Sequence, residues 1–192
     1  MQSILSYSSS SSSTRGATGN NSIAMGSNTT ASGFASTASG NASTASGYAS
    51  TAMGLFTTAS GGYSTAMGEE TTASGAYSTA MGYETTASES GSTAMGHNTT
   101  ASGIVSTAIG QFTTASGYGS TAMGEGTTAS DKSSLVMGQY NLAGSTVTTS
   151  ATEFSLDNTA LVIGNGADFD NRSDALVVKF NGDATLAGNL NI

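Results

Sequence analysis

Small apolar and polar positions alternate along most of the chain on a fixed grid. From Ala24 to Ala129 an alanine recurs every seven residues, and the unit around it reads Ser/Thr-Thr-Ala-(Met/Ser)-Gly-x-x. Glycine stands two residues after each of these alanines except at Glu89 and Asp131. The residue after Ala alternates between two types. Met53, Met67, Met81, Met95, Ile109, Met123 and Met137 stand fourteen residues apart, with Ser60, Ser74, Ser88, Ser102, Ser116 and Ser130 between them. Met25 fits the same grid and Ser39 departs from it. The repeat is therefore fourteen residues long and made of two similar halves.

A seven-residue spacing also raises a coiled coil, but that reading fails. Coiled coils need two large apolar positions per heptad, whereas this unit offers Ala, with Met only in alternate heptads. A glycine in each heptad would cost about 1 kcal/mol in a helix interior, and Ser and Thr compete for backbone hydrogen bonds there. Ser-Thr-Ala-Met instead has the period-two alternation of a short strand. Gly-x-x reads as a turn in which Gly supplies positive φ. Two strands and two turns per repeat make one coil of a narrow roll. The expected fold is all-β, a parallel β-roll or solenoid with fourteen-residue coils whose like residues form ladders. Met25 to Met137 spans eight periods, which gives a roll of about 38 Å at about 4.8 Å per coil.

Alternation puts the Thr before Ala and the Met or Ser after it on one face, and Ala on the other. The expectation is that Thr and Met point into the roll and that the ladder of Ala24 and its successors packs against a neighbouring strand or chain. A thin roll of Ala, Ser, Thr and one Met per coil buries little apolar surface, so it is expected to need partners.

Composition narrows the function. The 192 residues include no Cys, Pro or Trp, and Lys+Arg 4 against Asp+Glu 12 gives a net charge of −8. Without cysteine there is no disulfide framework, zinc ribbon, iron–sulfur cluster or thiol nucleophile. Four basic residues are too few to neutralise many phosphates, so nucleic acid is not an expected partner. No apolar run reaches the roughly 18 residues of a membrane-spanning helix, so membrane insertion is not expected either.

The segment Asn21-Ser22-Ile23-Ala24-Met25-Gly26 resembles the Asn-Ser-Val-Ala-Ile-Gly repeat of YadA-like heads, found in trimeric autotransporter adhesins and in some phage fibres. The resemblance extends through residue 138. It implies a left-handed parallel β-roll and a homotrimer around one axis. Thr and Met or Ser stand here where that family often has Val and Ile.

Outside residues 21–138 the pattern changes. Residues 1–20, with the run Ser8 to Ser13, read as a tail or docking segment for other virion or fibre proteins, with Ile4, Leu5 and Tyr7 as a small apolar patch. Residues 139–156 read as a connecting β segment, Thr-rich over 145–156. Residues 157–192 read as a β-hairpin neck or tip that caps the roll: Ala160–Ile163, then Asp174–Phe180, then a type I′ turn at Asn181-Gly182. Leu161–Gly166 followed by Asn171–Val178 also resembles the segment preceding an endosialidase-type intramolecular chaperone in trimeric tail proteins.

Little in the sequence points to catalysis. The single His97 follows Met95-Gly96 and reads first as a solvent-facing turn residue; hydrolytic triads need His beside a nucleophile and an acid. Glu70 and Glu84, one period apart, are expected to stack on one edge beside Glu69, and they read as solvated charge ahead of a cation site. Asp168-x-Asp170-Asn171 with Asp174 has a calcium-like flavour but lacks the full ligand spacing. No metal and no cofactor is expected. The variable turn positions carry Phe34, Tyr48, Leu55-Phe56, Tyr63, Tyr77, Tyr83, Ile104-Val105, Phe112, Tyr118 and Tyr140. Two readings stand: packing between coils or chains, or receptor recognition, stacking on sugars included.

The expected function is a structural fibre protein, the trimeric stalk or head of a virus tail or capsid fibre. It would pair with two identical chains and attach to a host glycan or protein receptor. No secretory signal or anchor barrel is seen, which favours the virion over a bacterial cell surface. The head of an autotransporter adhesin is the alternative. An ice-binding solenoid is a remoter one, because only one Thr of each Thr-Thr pair can face outward. A glycan-degrading tail spike is another, disfavoured because no acids cluster in a cleft.

Overall fold

A computed structural model describes residues 6–7 (backbone course only), 16–142 and 151–188. The chain forms two compact units, residues 1–97 and 98–192. All described regular structure is β.

In the first unit the long strands Ile23–Ser27, Thr37–Asn41, Thr51–Leu55, Thr65–Glu69, Thr79–Tyr83 and Thr93–His97 pair in parallel, each with its counterpart fourteen residues on. Two-residue strands from Gly16–Ala17 through Thr30–Ala31 to Thr86–Ala87 make a second parallel ladder. Like residues meet: Thr51 with Thr65, Ala52 with Ala66, Met53 with Met67, Gly54 with Gly68. Ser6–Tyr7 adds a rung beside Ala24–Met25. The ladders thus reach into the segment expected to be a tail; Ile4, Leu5 and the run Ser8 to Ser13 lie outside the described residues. The second unit repeats the scheme with Thr107–Gln111, Thr121–Glu125 and Leu135–Gln139, and with Thr100–Ala101, Thr114–Ala115 and Thr128–Ala129. This is a parallel β-solenoid of fourteen-residue coils.

The expected orientation of the columns is reversed. Every alanine of the seven-residue column from Ala24 to Ala129 is fully buried inside its own chain, as are the Ser or Thr two residues before it, such as Ser64 and Thr71. Thr65, Met67 and their equivalents point outward and are half-exposed or, at Ile23, Met25 and Met53, exposed. Interiors are close-packed, and extra side-chain atoms forced between two walls cost stability. Two facing columns of Ala with Ser or Thr fill the roll, and Met stays outside. After the last described short strand, Thr128–Ala129, the inward residue grows to Val136 and Val162, both fully buried.

The expected positive φ of glycine holds in one half of the coil and not in the other. Gly68 has φ 123 inside a strand, and Gly61, in the other half, is not in the positive region at all. What they share is close approach: a Cβ on Gly68 would collide with the Gly82 carbonyl oxygen, and one on Gly61 with that of Gly75. The left-handed turn residue comes two positions later and is often bulky, as at Phe56 (φ 54), Tyr63 (φ 59) and Tyr77 (φ 59). Such conformations are unfavourable for large residues. Here an inter-coil bond holds each of them: Phe56 N–H donates to the Asn41 carbonyl at 2.9 Å and Tyr63 N–H to that of Tyr48 at 2.7 Å. In the Ser half the buried hydroxyl tightens the turn, as Ser64 Oγ does to the Gly61 carbonyl at 2.7 Å.

The end of the roll is capped. Asn141, fully buried, accepts the Thr128 N–H at 2.8 Å and donates to the Thr128 carbonyl at 3.2 Å, as a further strand would. Asp131 closes the glycine column and accepts the Thr159 N–H at 2.8 Å. Arg172 donates to the carbonyls of Gly126 and Asn141 at 2.9 and 3.1 Å. Thr159–Asn165 then adds in parallel to Leu135–Gln139, followed by antiparallel Asp174–Lys179 and Ala184–Leu186. The turn at Asn181-Gly182 is not type I′: of the two, only Gly182 has positive φ (93), and its N–H donates to the Lys179 carbonyl at 3.1 Å. That is a type I turn closed by a glycine bulge, which the longer loop from Phe180 requires. Of the expected Thr-rich β run, residues 145–150 lie outside the described residues and 151–156 form bends without a strand.

Candidate adhesive and assembly surfaces

Three surfaces collect the residues singled out in the sequence. The first is the outer face of the long strands. In the first unit it carries Met25, Met53, Met67, Met81 and Met95, and in the second Ile109, Met123 and Met137. Met25 (48%) and Met53 (39%) are the most exposed of the column. Outward Thr residues flank the column, so the face is an uncharged stripe of thioethers, methyls and hydroxyls.

The second surface is the turn edge after the short strands of the first unit. Phe34 stacks on Tyr48 with ring centroids 5.2 Å apart and planes 11° apart, and Tyr63 stacks on Tyr77 at 5.1 Å and 0°. Tyr48 and Tyr63 join the two stacks at 5.2 Å and a tilt of 57°. All four remain well exposed, Tyr77 at 65%. The ring faces are largely taken up by each other, so edges and the tyrosine hydroxyls meet solvent.

The third surface is the opposite turn edge, with exposed Phe56, Glu69, Glu70 and Tyr83 and half-buried Glu84 and His97. Tyr83 pairs across the ladder with Glu69 and His97. The His97 ring lies 5.2 Å from that of Tyr83, at the end of a strand rather than in an open turn. A hydrogen bond to the Glu84 carboxylate, and then that charge itself, raise the Tyr83 phenol above its ordinary value.

In the second unit Tyr118 is exposed, with the Lys132 ammonium 5.1 Å from its ring centroid. Phe112 is half-buried and meets Phe169 edge-on at 5.6 Å. Phe169 also packs on Tyr140 at 5.0 Å and lies under the Arg172 guanidinium at 5.1 Å. Tyr140 Oη donates to Glu125 Oε1 at 2.6 Å, which raises its phenol. This cluster fastens the 166–173 loop to the roll. Its sequence signal is Gly126, the one position on that turn column where a Cβ would strike the Tyr140 ring.

The acidic loop is built for itself. Asp168 Oδ1 accepts the Asp170 and Asn171 N–H groups at 2.9 and 2.8 Å and the Asn171 amide at 2.9 Å, which hold its carboxyl below the ordinary value. Asp174 turns away to accept the Leu142 N–H at 2.9 Å. Among the described residues no three His, Asp or Glu side chains gather as metal donors.

Small-residue interior, in-register rungs and outward columns define a repeat protein of the parallel β-roll class. The family model of the YadA head domain repeat, two copies long, matches residues 17–33, 31–57, 59–85, 87–113 and 115–141. These matches cover well over half of the chain, which therefore belongs to the YadA head repeat family, a repeat found in trimeric autotransporter adhesins. No curated protein matches it.

Proposed function

We propose that the chain is the trimeric head or stalk of a surface-attachment fibre, built from itself and two identical copies, and that it belongs to a virus tail or capsid fibre. The observation that carries this is the outward Met column. In a soluble single chain, Met67 and Met81 would be expected inside and polar residues outside; here the interior is closed by Ala, and the apolar column is left for a partner. Three copies facing one another through this stripe would cover it. The turn edges, with Tyr48, Phe56, Tyr63, Tyr77, Tyr83, His97 and Tyr118, would then face the receptor, a host glycan or protein. The work is adhesive and structural rather than enzymatic, and residues 1–20 join the chain to other fibre proteins.

Light scattering on the purified chain tests the assembly: the mass of three chains is expected, and a monomer overturns the reading. Binding of the trimer to host cells, reduced by Tyr63→Ser with Tyr77→Ser, tests the receptor edge. The same roll at a bacterial surface is the second reading, favoured by the family match itself. Sequence flanking the chain separates the two, as a tail-docking domain or as an anchor barrel.

A further inference from the structure

The outward columns of the second unit continue past the last coil. Strand pairing carries the methionine column from Met123 to Met137, Ile163, Leu176 and Leu186. The column beside it runs from Thr121 to Leu135, Leu161, Val178 and Ala184. Directly paired residues lie on the same face of a sheet, so the outer stripe extends over the terminal hairpin and changes character on the way. Thr with Met becomes Leu with Met, then Leu with Ile, then Val with Leu. Among the described residues these side chains are only partly covered: every residue of Asp174–Lys179 is half-exposed, all of Ala184–Leu186 is exposed, and Leu186 stands at 45%.

A repeated stripe has a weakness as an interface. Sliding one copy along another by one coil, about 4.8 Å, sets Met against Met and Thr against Thr again. Register between strands is weakly specified when every slip restores the same contacts. The Leu135–Leu161–Ile163–Leu176–Val178–Leu186 patch occurs once per chain, and it is the most apolar stretch of the stripe.

We propose that this patch docks on the same patch of the other copies and sets the register in which the rolls assemble. The inference rests on the trimeric reading above and identifies where that assembly is specified.

The test uses the full chain, which has no cysteine, with Ile109→Cys as a single thiol on the outer column. In-register copies bring this position together, so mild oxidation is expected to give a disulfide-linked pair of chains. Adding Leu186→Asp or Leu176→Asp is expected to abolish most of that cross-link while circular dichroism keeps its β signature. Cross-linking and trimer mass unchanged in both variants overturn the proposal. So does loss of the β signature in both, which would make the patch part of the chain's own core. A monomeric Ile109→Cys parent would instead sink the trimeric reading itself.

Discussion

At the scale of single residues, neighbouring positions of the same type have opposite roles. Gly61 lies against the Gly75 backbone, whereas nothing stands within 4 Å of a Cβ on Gly62, whose φ is not positive. Gly61→Ala forces two backbones apart and should cost about 1–3 kcal/mol, as overpacking does. Gly62→Ala removes only unfolded-state freedom and should be neutral or stabilising by up to about 1 kcal/mol. Thermal melts of the two variants should move in opposite directions or by clearly unequal amounts. The interior hydroxyls divide similarly. Ser64 is bonded to a turn carbonyl, but the Thr71 hydroxyl is buried with no hydrogen-bond partner, as are those of Thr57 and Thr85. Thr71→Val keeps the shape and removes an unsatisfied polar group, so it should raise stability by about 1 kcal/mol. Ser64→Ala should lower it. A melt in which Thr71→Val is the less stable of the two would show that the hydroxyl does find a partner.

At the scale of elements, the caps decide where the ladders end. Asn141 supplies Thr128 with two hydrogen bonds of the kind a further strand would make, and it is buried while doing so. Asn141→Leu removes both of these bonds to Thr128 and should cost about 1–3 kcal/mol, read as a lower melting temperature and faster amide exchange at Thr128. Tyr140 gives a pH signature nearby. Its phenol is raised above 10.0 because it donates to Glu125. A group whose pKa rises on folding contributes stability below its unfolded value and loses it as pH climbs through the folded one. The parent should therefore weaken above pH 10, and Tyr140→Phe should remove that part of the alkaline loss; phenolate absorbance and melts at rising pH measure both. These elements also show what the sequence could convey. The fourteen-residue coil, the strand–turn alternation and the partition of faces follow from the Ala and Gly spacing, because ladders stack like on like. Which face was inside did not follow. Both faces carry small residues, and the answer depends on the separation of the two walls, which no single coil encodes. Only part of glycine's role is legible: the positive φ of Gly68 agrees with the local Gly-x-x pattern, but the neighbour of Gly61 is fourteen residues away, so its close approach to Gly75 is invisible there. The aromatic cluster of Tyr140, Phe169 and Arg172 depended on a loop whose course follows no repeat.

At the scale of the whole molecule, a stacked roll is nearly one-dimensional: each coil touches the coils beside it, and stability is close to a sum of coil and neighbour terms. That makes length and phase separable. Deleting Gly61 to Ser74 removes one full period and joins Ser60 to Gly75, so each column meets the residue type it met before. The long-strand glycines still stack on glycines of the same conformation, Gly54 (φ 130) now on Gly82 (φ 127), and the Ala columns stay continuous. Deleting Gly61 to Met67 also leaves every Ala–Gly spacing intact, and to a heptad reader the two changes are equally mild. The structure separates them sharply. After the seven-residue loss, a half-repeat built for a five-residue strand must lie on one built for a two-residue strand. Gly68 would then take the place of Gly61 and stack on Gly47, whose φ is not positive, and the Met column would shift to the other wall. The fourteen-residue deletion should therefore retain the β signature and a cooperative melt within a few degrees of the parent, while the seven-residue deletion should lose cooperativity. Equal behaviour of the two would mean that the two halves of the coil are interchangeable, contrary to the different backbones they adopt.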